Sequence, residues 1–378
     1  MLLFWSFIGS LCAGVFARFT LDFRNQSVTQ EPLTFKTRVK LFWNWFVDHA
    51  EDFQQRIEAG EGPGLEPEVS AAINKWLPGF AYVFGPRDQG GHTFTLSPSG
   101  NIDLRFLASY WRDQAPKLDN WTFYSSRQPG LCDGFGIRIN EHEFGADDVL
   151  IEFEVNEEDE MLDIVIWHPD YLEDDDINSQ VAFIFLDEVM GEIGTEMWIG
   201  NIELGGEKPE NGIPLKSLAT EVVAAAAMHN WEKQPPDKTY VGYSVPEPKE
   251  GYPRSDTIAG ATCHFPLVGE FMEQEGLLDN DPLAETGAHF LYLSIDAEDF
   301  PEDEEVEVRA KIEDHLNDIL IEHAAGRILG GATGYAKAYI DLVIFDGQKS
   351  LDLIEQSMQL QNYAASYRVE RFFASQTA

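Results

Sequence analysis

The fold is decided by residues 289–373, HFLYLSIDAEDFPEDEEVEVRAKIEDHLNDILIEHAAGRILGGATGYAKAYIDLVIFDGQKSLDLIEQSMQLQNYAASYRVERFF. His289 to Ile295 reads as a strand. Glu304 to Ala325 repeats apolar residues at helical spacing, with Val306, Ile312, Leu316, Ile319 and Leu320 as the stripe. Gly326 stands where glycine commonly ends a helix. Arg327 to Thr333 and Tyr339 to Phe345 read as strands, and Asp346-Gly347 as a turn. Ser350 to Leu360 follows as a helix and Tyr367 to Phe373 as a last strand.

That order, β-α-β-β-α-β, is ferredoxin-like: one antiparallel sheet with both helices on one face. Upstream, Tyr240 to Val245 and Thr257 to Phe265 add strands, and Val268 to Gln274 a short helix. Gln234-Pro235-Pro236-Asp237 has the composition of a linker and sets a domain boundary. The body before it starts near Phe35. Thr37 to Ala59 is an amphipathic helix with Val39, Phe42, Trp43, Phe46, Ala50 and Phe53 near one face. Pro67 to Leu77 is a second. Strands are expected at Gly79 to Phe84, His92 to Leu96, Trp121 to Ser126, Phe135 to Ile139, Val149 to Val155, Met161 to Trp167 and Met197 to Leu204. Helices are expected at Ile102 to Gln114, Ile177 to Gly191 and Pro214 to Trp231. The reading is an α+β chain of two domains, each an antiparallel sheet covered by helices, at 35–233 and 239–378, behind an apolar segment and linker at 1–34.

Charge limits the partners. The 378 residues carry 66 acidic and 26 basic side chains, a formal net of −40. Such a field repels nucleic acid and anionic membrane surfaces and attracts basic protein surfaces. It does not signal disorder, because 44 % of the residues are hydrophobic and 26 are Phe, enough to bury a core. Met1 to Ala17 has no charged side chain, and no Lys or Arg precedes its apolar run as a signal peptide requires. A misplaced start or structured apolar segment, with a cytoplasmic protein, and an export signal or anchor both stay open. Cys12, Cys132 and Cys263 form no metal-binding pattern. A reduced interior suits them best, with a Cys132–Cys263 disulfide as the other option.

Chemistry-bearing motifs are sparse. His315, Asp318 and Glu322 share one side of the long helix at the spacing of a helix-borne metal site, although no HExxH is present and a solvated acidic face is the favoured reading. Cys263-His264 lies in a strand, where neighbours point to opposite faces. That favours a buried thiol beside a surface or edge histidine over a catalytic pair. Gly326 to Gly334 is glycine-rich, yet it runs from helix into strand and lacks the Lys-Ser/Thr of a phosphate loop. A helix cap, bulge or close backbone approach is its simplest role; as a ligand site it would use Gly330, Gly331, Thr333, Tyr335 and Lys337. Glu141-His142-Glu143 reads as a turn, and the carboxylate runs at 157–160, 173–176 and 302–305 as helix caps and solvated faces. Trp43, Trp45, Trp111, Trp121 and Trp167 read as packing residues. No catalytic residue is assigned and no cofactor is expected.

The stretches Gly326-Arg-Ile-Leu-Gly-Gly-Ala-Thr-Gly334 and Ala338-Tyr-Ile-Asp-Leu-Val-Ile-Phe-Asp-Gly347 resemble a bacterial domain family. The first body, from Leu41-Phe-Trp-Asn-Trp-Phe46 to Ile199-Gly-Asn-Ile-Glu-Leu204, is similar to another bacterial module. Neither resemblance implies an activity. At the level of fold and charge the second body also resembles the regulator of ribonuclease activity B, an acidic protein inhibitor. The expectation is a non-enzymatic acidic interaction protein: a regulator, adaptor or toxin-neutralising partner of a basic protein. The alternatives are a hydrolase or small-ligand-binding enzyme with a pocket near 326–337, and a carboxylate-rich surface adapted to salty surroundings.

Overall fold

The computed structural model describes residues 33–87, 90–130, 133–139, 141–245, 251–276, 278–301, 304–362 and 366–373. The apolar run at 1–17, most of the segment joining it to Phe35, and Cys132 lie outside the described residues. α1 (Phe35–Glu58) buries Phe35, Val39, Phe42, Trp43, Phe46, Ala50 and Phe53, the three- and four-residue spacing of one helical face. Thr34 caps it by accepting a hydrogen bond from the Thr37 N–H. α2 (Glu66–Trp76) carries a proline in its first turn. β1 (Ala81–Pro86), β2 (His92–Ser97), α3 (Arg105–Asp113) and β3 (Trp121–Tyr124) follow, and the three strands form a sheet in sequence order. α1 lies on this unit through aromatic rings. Trp43 stacks on Trp111 at 4.5 Å, Phe46 meets Phe94 edge-on at 5.2 Å, and the Trp43 indole N–H donates to the Trp111 carbonyl.

β4 (Gly136–Ile139) and β5 (His142–Gly145) make a hairpin. Glu141-His142-Glu143 was expected as a turn, but His142 and Glu143 open β5 instead. β6 (Leu150–Asn156), β7 (Met161–Trp167), α4 (Asp175–Met190), α5 (Glu192–Trp198), β8 (Ile199–Leu204), β9 (Ile213–Pro214) and α6 (Leu218–His229) complete a second sheet in the order β8-β7-β6-β9. Asp174 caps α4, accepting from the Asp176 and Ile177 N–H groups. The strand expected from Met197 starts two residues later. Gly191, at φ +72°, ends α4 and lets a fresh helix begin at Glu192. The helix expected from Pro214 begins at Leu218, because Pro214 belongs to β9. It ends on Asn230 in the left-handed conformation.

β10 (Val241–Ser244), β11 (Thr257–Thr262), α7 (Phe265–Glu273), β12 (His289–Asp296), α8 (Glu305–Glu322), β13 (Gly326–Gly334), β14 (Lys337–Ile344), α9 (Gln348–Leu360) and β15 (Tyr367–Arg371) form the third layer. Their strands pair antiparallel in the order β10-β11-β13-β14-β12-β15. α8 and α9 share one face, where Leu291, Leu293, Ile295, Ile340, Leu342 and Ile344 meet Val308, Ile312, Leu316, Leu320, Ile354 and Met358. Val308 takes the place expected of Val306, which is exposed. Gly326 does not cap α8: the helix stops at Glu322, Ala324 supplies the positive φ, and Gly326 already pairs with Ile344 in β13. It is glycine because a Cβ there would strike the Val343 carbonyl.

Phe290, Tyr292, Tyr339, Val343 and Phe345 point to the opposite face. They join one apolar cluster with Phe35, Phe42, Phe46, Phe94, Phe106 and Trp111. That cluster therefore draws on residues from both sides of the 234–237 segment. The chain is α+β, with helices covering antiparallel-rich sheets.

Candidate interaction surface

The second sheet has two unlike faces. Ile151, Leu162, Ile164 and Ile166 point inward and pack on Val181, Phe185, Leu218 and Val222 of α4 and α6. The alternate positions carry Glu152 and Glu154 on β6, Asp163 on β7 and Glu203 on β8. Glu154 lies directly opposite Asp163, while Val165 sits between Glu152 and Glu203. Like charges paired across strands cost roughly 0.2–1 kcal/mol each. Folding alone does not ask for this arrangement.

Neutral amides hold three of these carboxylates in place. Asp163 Oδ1 accepts from the Asn201 N–H at 2.7 Å, and its Oδ2 from Asn156 Nδ2 at 3.1 Å. Asn201 Nδ2 donates to Glu203 at 3.0 Å, and the Asn211 N–H to Glu152 at 3.4 Å. Among the described residues none of the four carboxylates joins an ion pair. The acidic turn 157–160 extends the face at one end of β6 and β7. Near Trp167, Lys208 lies 5.8 Å from the indole ring. The four strand carboxylates offer oxygens without an ion pair among the described residues, the complement of lysine and arginine side chains on another protein.

The residues singled out on the glycine-rich segment lie elsewhere. Gly330, Gly331 and Thr333 are inside β13, paired on both sides by β11 and β14. The register shifts between Ile328 and Gly330, the signature of a bulge. A Cβ on Gly330 would lie 2.6 Å from the Thr262 Cα, and one on Gly331 would run into the Arg309 and Glu313 side chains of α8. Tyr335 is 73 % exposed at the following turn. The Lys337 N–H, with that of Ala336, donates to Asp256 Oδ2. The segment thus builds the sheet and fastens a hairpin. His315, Asp318 and Glu322 all sit on α8. Among the described residues no three His, Cys, Asp or Glu side chains converge to hold a metal ion.

Cys263 is a free, buried thiol that burial pushes up to about 11, the opposite of an activated nucleophile. Its neighbour His264 was expected at a surface or edge, yet its side chain is buried and bonds Asp103 at 2.8 Å. That pair ties the start of α7 to the loop before α3.

Sequence spacing missed the most buried ionic group. Arg254 donates to Asp341 at 2.6 and 3.3 Å, both side chains within 2 % of full burial. The guanidinium lies 4.9–5.6 Å from the rings of Tyr339, Tyr292 and Phe372. Arg254 adopts φ +64°, a conformation unusual for a bulky residue. Around it, Tyr292 and Ser294 donate to Glu370, and Tyr339 donates to Asp256. Burial raises these phenols well above their ordinary range. One signal was present: an aspartate inside Tyr339-Ile-Asp-Leu-Val-Ile-Phe345, where a buried charge requires a partner.

A second polar junction ties α5 to the first sheet. Glu192 accepts from Ser97 at 2.8 Å and from the Gly100 and Arg127 N–H groups, and Arg105 pairs with Glu196. Asp187 nearby is pushed up to about 6 by burial, with Glu192 adding repulsion. No helix among the described residues is long and apolar enough to cross a membrane. No family model, curated protein or solved structure matches the chain.

Proposed function

We propose that this chain is a non-enzymatic interaction protein that offers the Glu152, Glu154, Asp163 and Glu203 face to a basic protein surface, as a regulator, adaptor or neutralising partner. The observation that carries the reading is the cross-strand pairing of Glu154 with Asp163 on an otherwise well-formed sheet, without an ion pair to offset it. A surface selected for folding alone would place threonine or lysine opposite one of them. Electrostatic complementarity would speed association and make it salt-sensitive. The strand order β15-β12-β14-β13, with α8 and α9 on one face, supports reading the C-terminal half as a ferredoxin-like domain. β10 and β11 then extend it at one edge. The free thiol of Cys263 fits a cytoplasmic setting.

The test is capture of basic proteins from the native host at low and high salt, by wild type and by Glu152→Gln/Glu154→Gln/Asp163→Asn/Glu203→Gln. The proposal expects partners retained by wild type at low salt only, and lost by the variant at both. Equal capture by both proteins would sink it. If the acidity serves only solubility in salty surroundings, no partner is retained by either protein, and the variant differs from wild type in solubility alone.

A further inference from the structure

The most anomalous charge in this acidic molecule is positive. A cleft of about 480 Å³ lies between the start of α1, the end of α8 and the start of α9. Lys36, Lys40 and Lys349 line it, with His323. Lys36 is fixed: its Nζ donates to the His323 carbonyl at 2.7 Å and pairs with Asp346 at 3.2 Å. Asp352, the other carboxylate of the cleft, accepts from Gln348 at 2.9 Å. Lys40 and Lys349 have no ion pair among the described residues, although 66 acidic residues were available to the chain.

Asp346 and the His323 carbonyl offset the charge of Lys36, but folding alone does not favour Lys40 or Lys349. Lys36 and Lys40 are four apart on one helix, where like charges repel. Lys36 and Lys349 each occupy the first turn of a helix, where the dipole disfavours cations. Neither of those first turns holds an acidic residue, whereas those of α2, α4 and α8 do. Two long elements, 313 positions apart between Lys36 and Lys349, bring this cost to one concave place. A bound anion would offset it. The net charge of −40 does not forbid this, because exposed charges beyond about 8 Å are largely screened at physiological salt.

We propose that this cleft binds a small phosphomonoester, its phosphate held by Lys40 and Lys349 beside the fixed Lys36. Lysine is a standard phosphate binder as a point charge, and the cleft volume leaves room for an organic group beyond the phosphate. The site is distinct from the carboxylate face and does not depend on it.

The experiment is calorimetric titration of the full chain at about 0.1 M ionic strength with inorganic phosphate, glycerol 3-phosphate and citrate. The expected result is one saturable site for the phosphomonoester, weaker binding of inorganic phosphate, and weakest binding of citrate. Lys40→Ala and Lys349→Ala should each weaken binding at least tenfold, while Lys75→Ala, over the Trp76 ring outside the cleft, should not. Lys40→Glu should abolish binding yet raise the melting temperature of the ligand-free protein, which separates lost binding from lost folding. Absence of saturable phosphomonoester binding would overturn the proposal. So would tighter binding of citrate, or affinity indifferent to Lys40 and Lys349.

Discussion

The third sheet and the second obey the same rules of strand alternation but end in opposite states. β12 and β14 bury both faces: Leu291, Leu293, Ile340 and Leu342 against α8 and α9, and Phe290, Tyr292, Tyr339 and Val343 against the α1 side. The buried charge on those strands, Asp341, is paired with Arg254. β6 and β7 bury one face only, and the other holds carboxylates that face each other with no cation between them. The same charged chemistry is compensated where water is excluded and left open where water remains. That contrast separates acidity that the fold needs from acidity available to a partner.

The largest effect should come from breaking the compensated site. Asp341→Ala leaves Arg254 buried and unpaired, and should cost on the order of 3–5 kcal/mol. Urea unfolding at pH 7 measures it, and a loss under 1 kcal/mol would show that the pair is not the anchor described. Leu293→Ala, in the layer beneath α8 and α9, should cost about 2–5 kcal/mol by leaving a cavity. The same unfolding assay reads it.

A titration sharpens the comparison next. Glu313 of α8 is pushed up to about 7 because burial outweighs its bond to Arg309. Asp187 is pushed up to about 6. Raised carboxyl values mean that the native state binds more protons than the unfolded chain between the ordinary and the raised value. These groups therefore favour folding at low pH, and stability falls as pH rises from about 4 to 7. Glu313→Gln should remove its part of that fall, on the order of 2 kcal/mol between pH 5 and 8. The readout is the wild-type-minus-variant difference across that range. A constant difference would mean that Glu313 titrates normally.

The smallest effect belongs to the open face. Glu154→Lys converts a repulsive pair with Asp163 into an attractive one and should stabilise by up to about 1 kcal/mol. Destabilisation by that amount would mean that the carboxylate is structurally required, against its place on the exposed face.

Much of this architecture was legible. The aromatic period of α1 and the continuous apolar runs of β12 and β14 identify elements that bury those same residues, because burial on one face imposes a period on the sequence and burial on both faces a run. Local breaks were harder. α5 restarts directly after Gly191 as a seven-residue helix with only a short apolar pattern of its own, and β5 is too polar and short to announce itself. The ionic groups were hidden for another reason. Arg254 and Asp341 lie 87 positions apart, and pairing at that separation is a property of the sheet order rather than of any local motif. The carboxylate face was half visible: alternation marks Glu152, Glu154 and Asp163 as outward, but only the register sets Glu154 against Asp163.

The central claim is that the β6–β7–β8 carboxylates, and not acidity in general, recognise a basic surface. The direct measurement is fluorescence anisotropy of a labelled lysine-rich polypeptide titrated with wild type, with the face variant Glu152→Gln/Glu154→Gln/Asp163→Asn/Glu203→Gln, and with a charge-matched control. The control, Asp48→Asn/Glu51→Gln/Glu61→Gln/Glu273→Gln, neutralises four exposed carboxylates elsewhere. The account predicts that the face variant loses at least tenfold in affinity and most of its salt dependence, while the control stays within twofold of wild type. Equal losses in the two variants would contradict it, because binding would then follow net charge alone.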